Sequence, residues 1–337
     1  MEKKKLLEIK DLHTSFRIDG EYYDAVDGVD LDLYSDEVLA IVGESGCGKS
    51  TIATTVMGLH NMVYTKVSGE VMYNGENLLT YDEKKFTEIR GGEIGMIFQD
   101  PLASLNPLHR IGEQIEEALI YHTKLNKEER KNKAIELLGQ VGINNPERCY
   151  RQFPHELSGG MRQRVIIAIA LSCNPNVLIA DEPTTALDVT IQAQILDLIN
   201  KLRKEINAGI ILITHDLGVV AQTADRVAVM YAGQFVEIAP VEELFNNPLH
   251  PYTRSLLNSV PQDDAVGEDL HVIQGMVPSL KNMPKTGCRF SSRIPWIPEE
   301  AHEKDPVLHE VSEGHFVRCT CYKTFYFPEE GVKEWVS

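Results

Sequence analysis

The stretch IVGESGCGKST, Ile41 to Thr51, limits what this chain can fold into more than any other. Gly43, Gly48, Lys49 and Ser50 fill the template G-x-x-x-x-G-K-[ST], and the apolar run Val38 to Val42 before it supplies the buried strand that the template requires. Gly43, Gly46 and Gly48 allow backbone dihedrals that a side chain would obstruct, so N–H groups can turn inward. The helix that follows adds a dipole favourable to anions. Such a loop cradles phosphate: Lys49 is placed to reach the β- and γ-phosphates of a nucleotide, and the Ser50 hydroxyl to ligate Mg²⁺.

Composition sets outer bounds. At 337 residues, 43% hydrophobic and 25% charged, the chain has the make-up of a globular protein with a real core and the length for about two domains. A formal charge of -17 opposes binding to nucleic-acid phosphates, where affinity comes from counterions released by Lys and Arg, so no nucleic-acid partner is expected. The start, MEKKKLLEIK, has no apolar run of signal-peptide length, and no stretch approaches the roughly 18 to 20 apolar residues that span a bilayer. A cytoplasmic location is therefore expected. The six cysteines are scattered, and Cys319 and Cys321 are too close to staple a fold, so reduced thiols are expected.

In chain order, Leu6 to Phe16 and Val29 to Tyr34 (VDLDLY) read as strands of an antiparallel subdomain. Between them Phe16, Tyr22 and Tyr23 can stack on a base or pack a β-layer. A helix is expected from Lys49 to Leu59, then short strands at Gly69 to Tyr73 and Ile94 to Phe98, the latter ending in Gln99, Asp100 and Pro101. That places Gln99 at a sheet edge where ligands bind. From Pro101 to about Pro154 the segments IGEQIEEALIYH and KEERKNKAIELLGQVG carry helical spacing and predict an inserted helical subdomain. Ser158, Gly159 and Gly160 open a helix that is almost continuously apolar from Val165 to Leu171, and its N-terminus is a second place suited to anions. The strand Val177 to Ala180 delivers Asp181 and Glu182 side by side before Pro183. Thr190 to Ile206 is amphipathic, and the strand Ile210 to Ile213 ends in Thr214 and His215. This alternation predicts an α/β fold with a mainly parallel sheet. After strands at Arg226 to Met230 and Gln234 to Ile238, prolines accumulate. A boundary near Pro240 divides residues 1–240 from a Pro-rich, loop-heavy extension, 241–337, with short helices at Val241 to Phe245 and Thr253 to Leu257.

Taken together, GESGCGKS, Gln99, LSGGM, LIADEP, TTALD and LITHD resemble the ATP-binding-cassette ATPase family from about Leu6 to Ala239. LSGG discriminates, because other P-loop NTPases lack it. The resemblance implies a RecA-like P-loop sheet with an antiparallel β-subdomain and a helical subdomain at about 100–157. It also implies that each ATP sits between the loop of one cassette and the LSGG of a second, which is either an identical copy or a paralogue. Nucleotide contacts would come from Phe16, Gly43, Glu44, Ser45, Gly46, Cys47, Gly48, Lys49, Ser50 and Thr51, and across the interface from Ser158, Gly159, Gly160 and Asp188. Mg²⁺ would be held by Ser50, Gln99 and Asp181. Glu182 would polarise the attacking water, His215 would contact the γ-phosphate, and Lys49 and Gln99 complete the catalytic set. Cys47 reads as a small filler, with the alternative that its alkylation blocks hydrolysis and ATP protects. Intact Lys49, Asp181, Glu182 and His215 argue against a non-catalytic subunit.

QDPLASLNP after Gln99, with NPLHPYTRSLLNSVP, IQGMVPSL and GCRFSSR in the extension, resembles the ATPases that drive oligopeptide and dipeptide import. That resemblance implies a peripheral subunit on the cytoplasmic face of the membrane. It would dock beneath two transmembrane permease subunits through the insert between Gln99 and Leu157, and serve an extracellular peptide-binding protein indirectly. Importers of nickel and a few other solutes use close relatives. A soluble ABC protein acting on DNA or the ribosome would split or repeat its cassette, and this chain does neither. In many relatives four cysteines of the extension ligate an iron–sulfur cluster. Here Cys288 and Cys319 are kept, Ile294 and Ala301 occupy the other two positions, and no cluster is expected, although His302 and Cys321 lie nearby. Asp36 stands where relatives usually place Gly, and Asp tolerates a positive φ.

Overall fold

The computed structural model describes residues 3–184, 187, 189–259 and 275–328. Asp188, expected at an interface between cassettes, lies outside the described residues.

The chain opens with a long hairpin. Strands β1 (Lys5–Ile18) and β2 (Glu21–Tyr34) pair antiparallel, and Asp19 and Gly20 between them have φ of 51° and 95°, the left-handed pair that a two-residue hairpin turn demands. Both strands are longer than the apolar pattern predicts, because polar residues from Arg17 to Asp24 break the alternation. The Asp-Gly dipeptide carried the hairpin signal instead. From β2 the chain turns at Asp36, whose φ of 51° matches the positive value expected of it, into β3 (Val38–Val42). β4 (Thr65–Tyr73) and β5 (Glu76–Asn77) then complete a four-stranded antiparallel sheet in the order β2-β1-β4-β5.

The main sheet is built around β3. It contains β6 (Ile94–Ile97), β7 (Val177–Asp181), β8 (Gly209–Thr214), β9 (Arg226–Tyr231) and β10 (Gln234–Pro240), with β11 (Leu308–Ser312) and β12 (His315–Arg318) from the extension. The order is β11-β12-β10-β9-β3-β8-β7-β6. From β9 to β6 the pairing is parallel, and the remaining strands join antiparallel. Val38, Ala40 and Val42 enter one core while Leu39 and Ile41 enter the other. Burial on both faces is why β3 reads as an unbroken apolar run. Because Val42 pairs with Thr214 and Asp181 with Ile213, the loops after β3, β6, β7 and β8 all leave from one edge, the carboxyl edge where open α/β sheets bind ligands.

The insert forms helices Ile111–His122, Lys127–Gln140 and Pro146–Arg151, with Ile111, Ile115 and Leu119 in one core with Ala134, Leu137 and Leu138. The extension departs from its loop-heavy reading. Besides helices Val241–Asn246 and Pro251–Asn258 it adds two strands to the main sheet, with Glu237 opposite Val317 and Ile238 opposite Phe316. Phe290, Ile294, Ile297, Phe325 and Phe327 share a core with Tyr231 and Tyr252. Short strands such as LHEVS, half exposed, carry too little periodicity to be legible beforehand.

Candidate active site

The loop after β3 needs its glycines for close approach. A Cβ on Gly43 would lie 2.1 Å from the Met230 carbonyl oxygen, and one on Gly48, at φ 110°, would lie 2.4 Å from that of Ala25. Gly48 is also the N-cap of the helix Lys49–Val56, with no side chain to cap it, so first-turn N–H groups are left for a ligand. Gly46 takes φ 80° with open space where a Cβ would stand. Lys49 is buried, and its Nζ donates to the Gly43 and Glu44 carbonyls at 2.7 and 3.0 Å. An ammonium group satisfied by loop carbonyls is well suited to exchange them for phosphate oxygens. Cys47 is buried with its Sγ 3.8 Å from Lys49 Nζ. Burial pushes its thiol up, against the opposing pull of Lys49.

Across the sheet edge, Ser50 Oγ donates to Asp181 Oδ1 at 3.0 Å. Burial pushes the Asp181 carboxyl up, the Ser50 hydrogen bond pulls it down, and neighbouring Glu182 raises it. A buried carboxylate with a hydroxyl beside it offers the oxygen ligands Mg²⁺ prefers and would be stabilised in its charged form by the cation, so the residues present fit the ion. Glu182 has φ 46° and donates its N–H to the Ile213 carbonyl at 2.8 Å, a left-handed geometry uncommon outside glycine and concentrated at functional sites. Its carboxylate accepts from Gln99 Nε2 at 3.0 Å and meets His215 Nδ1 at 3.4 Å. Four strands thus bring Lys49, Ser50, Gln99, Asp181, Glu182 and His215 together.

Other expected residues stand apart from this constellation. Ser158 caps its helix by accepting from Met161 N at 3.4 Å. Ser158 and Gly159 are exposed, and a Cβ on Gly159 would meet nothing within 4 Å. The turn therefore faces outward. Phe16 is half-buried on β1, opposite Tyr23 and Thr65, and meets His60 edge-on at 5.5 Å between ring centroids. Tyr22 carries Lys66 Nζ over its ring at 4.0 Å.

The extension contributes contacts that no motif announced. Tyr252 Oη accepts from the Glu44 N–H at 2.8 Å, and Arg293 Nη1 donates to Glu44 Oε2 at 2.6 Å. Arg289 bonds Asp27 and the Ala232 carbonyl. The pairs with Glu44 and Asp27 join residues more than two hundred positions apart, so only folding reveals them. Ile294 lies buried in the core and Ala301 packs against it. Neither offers a donor, and the four positions that would carry cluster cysteines do not fit an iron–sulfur cluster.

Comparison with known proteins supplies the lineage. Residues 26–185 match the family model for ABC transporters, and residues 236–296 match the C-terminal region of oligopeptide/dipeptide transporters. Over 334 residues the chain is 54% identical to the oligopeptide transport ATP-binding protein OppD of Lactococcus lactis subsp. cremoris, covering 99% of both. The chain belongs to the ABC-transporter ATPases of the oligopeptide and dipeptide transport family. This ABC ATPase is also 49% identical over 317 residues to the dipeptide transport ATP-binding protein DppD of Bacillus subtilis, covering 94% of both. Among solved structures it resembles the dimeric ATP-binding cassette MJ0796 in a post-hydrolysis state bound to ADP and phosphate. The TM-score is 0.63 and the identity 31%, over 70% of this chain and 99% of that one. ATP binding and hydrolysis are the activities of this fold family. Among the described residues no helix is long and apolar enough to cross a membrane.

Proposed function

We propose that this ABC ATPase hydrolyses ATP in a sandwich between its own residues Gly43 to Thr51 and the Ser158, Gly159 and Gly160 turn of a second cassette, and that hydrolysis drives uptake of oligopeptides or dipeptides. The observation that carries the reading is the Glu182 carboxylate, held between Gln99 and His215 beside the Ser50–Asp181 pair. Lys49 exchanges the Gly43 and Glu44 carbonyls for the β- and γ-phosphates. Ser50, Asp181 and Gln99 would hold Mg²⁺, which would supply positive charge to offset that of the phosphates. Glu182 accepts the proton of the attacking water, a contribution of about 10²- to 10⁴-fold, while Gln99 orients that water and His215 holds the γ-phosphate. Phe16 is the platform for the base.

The second cassette is a paralogue, so the working unit is a heterodimer. Residues 1–240 form the cassette, and 241–337 are the transporter-type extension. The unit sits on the cytoplasmic face of the membrane beneath two permease subunits, with an extracellular binding protein delivering peptide. Exposed apolar side chains on the insert support docking there: Leu108 is 83% exposed and Tyr121 69%. The test is Glu182→Gln in the reconstituted complex. ATP affinity should stay within about twofold while turnover and labelled-peptide uptake fall about 10²-fold or more, and the cassettes should trap as a closed ATP-bound pair. Unchanged turnover removes Glu182 from its role, and nickel uptake without peptide uptake reassigns the cargo.

A further inference from the structure

Four donors converge in the extension although two of the expected cysteines are missing. The Sγ atoms of Cys288, Cys319 and Cys321 and a ring nitrogen of His302 all lie within 4.8 Å of one another. The cysteines are 8%, 1% and 0% exposed, and His302 is half-buried. We propose that Cys288, His302, Cys319 and Cys321 form a tetrahedral Zn²⁺ site that pins the extension together.

The donor chemistry selects the ion. Three thiolates and one imidazole are a set used by structural zinc, and Zn–S bonds of about 2.3 Å space ligand atoms about 3.8 Å apart along the tetrahedron's edges. The observed spread accommodates that spacing. A four-iron cluster puts each ligand on a different iron and so spreads its donors more widely than a single ion does. His302 and Cys321 supply the two donors that Ile294 and Ala301 cannot, and the site becomes mononuclear as a result.

Its surroundings are those of a ligated thiolate. The Glu303 N–H donates to Cys319 Sγ at 3.4 Å, the kind of outer contact that orients and tunes a metal ligand. Cys319 holds φ 68° and ψ 149°, a conformation that non-glycine residues adopt only when their surroundings impose it. A cavity of about 1010 Å³, lined by Cys288, His302 and Glu303 among others, opens beside the cluster and gives an ion a way in. The segment also needs a staple. Between residues 275 and 307 regular structure is limited to three short 3₁₀ turns, and bonds to a metal hold such a segment where helix and sheet ladders are lacking. Arg289 and Arg293, which grip Asp27 and Glu44, follow Cys288 on this segment.

The full-length protein, purified with its complex and without chelators, should contain one zinc per chain and no acid-labile sulfide by elemental and sulfide analysis. Exchange for Co²⁺ should give the visible bands of a tetrahedral thiolate-rich site. Cys321→Ser should weaken metal binding by at least about 10-fold, while Cys173→Ser, at a cysteine outside the cluster, should not. Protein that is metal-free and gives no tetrahedral cobalt spectrum overturns the proposal, as does brown protein carrying several irons and sulfide. If Cys321→Ser does not fold, the wild-type metal content and cobalt spectrum decide by themselves.

Discussion

Cys47 shows how far its neighbours decide what a residue can do. A cysteine inside a phosphate loop beside a lysine suggests a reactive thiolate, since a nearby cation lowers a thiol's pKa. Burial outweighs that pull and keeps the thiol protonated, and the sulfur fills the space against Gly43. Iodoacetamide at pH 8 should therefore leave Cys47 unmodified in the native protein while labelling it in urea, as read by peptide mass mapping. Rapid native labelling would restore the alkylation hypothesis. Glu182 makes the complementary point: a left-handed backbone and two polar neighbours aim one carboxylate.

Among the elements, the junction of β10 and β12 has no counterpart in the motifs. Glu237 on β10 is fully buried and accepts from Leu249 N, His250 N and His315 Nε2, each at 2.8 Å. Burial pulls the pKa of His315 down, but Glu237 and then Glu243 outweigh it and hold the imidazole above its ordinary value. A group raised on folding contributes stability that is complete below its unfolded pKa, near 6.5, and is lost as pH rises through the folded value. Thermal melts should therefore show this junction losing stability above about pH 6.5, a component absent from His315→Gln. Glu237→Ala, which strands three donors, should cost about 3–5 kcal/mol in urea unfolding. A change below about 1 kcal/mol would mean that water or another side chain satisfies them.

For the molecule as a whole, direct contacts join the extension to the loop after β3. Arg293 and Tyr252 hold Glu44 from two sides, through its carboxylate and its N–H, so the loop's shape depends on residues far outside the cassette motifs. Arg293→Ala should raise the Kd for ATP about 3- to 10-fold, on the order of 1 kcal/mol, with kcat at saturating ATP reduced much less. Arg293→Lys should restore only part of the affinity, because a point charge replaces a planar fork. An unchanged Kd in equilibrium titration would reduce the contact to simple packing.

The parallel strands, the loop glycines, the acidic pair after β7 and the histidine after β8 were all legible, because a strand buried on both faces and a phosphate turn each demand residue types at fixed short spacing. Helices of the insert were legible for the same reason. The hairpin's full length, the two added strands, the grip of Arg293 on Glu44 and the gathering of Cys288, His302, Cys319 and Cys321 were not. The hairpin's extra length lies in positions without apolar alternation, whereas the others join residues whose separation along the chain carries no period, so their meeting is set only when the sheet edges pair and the extension closes over the core.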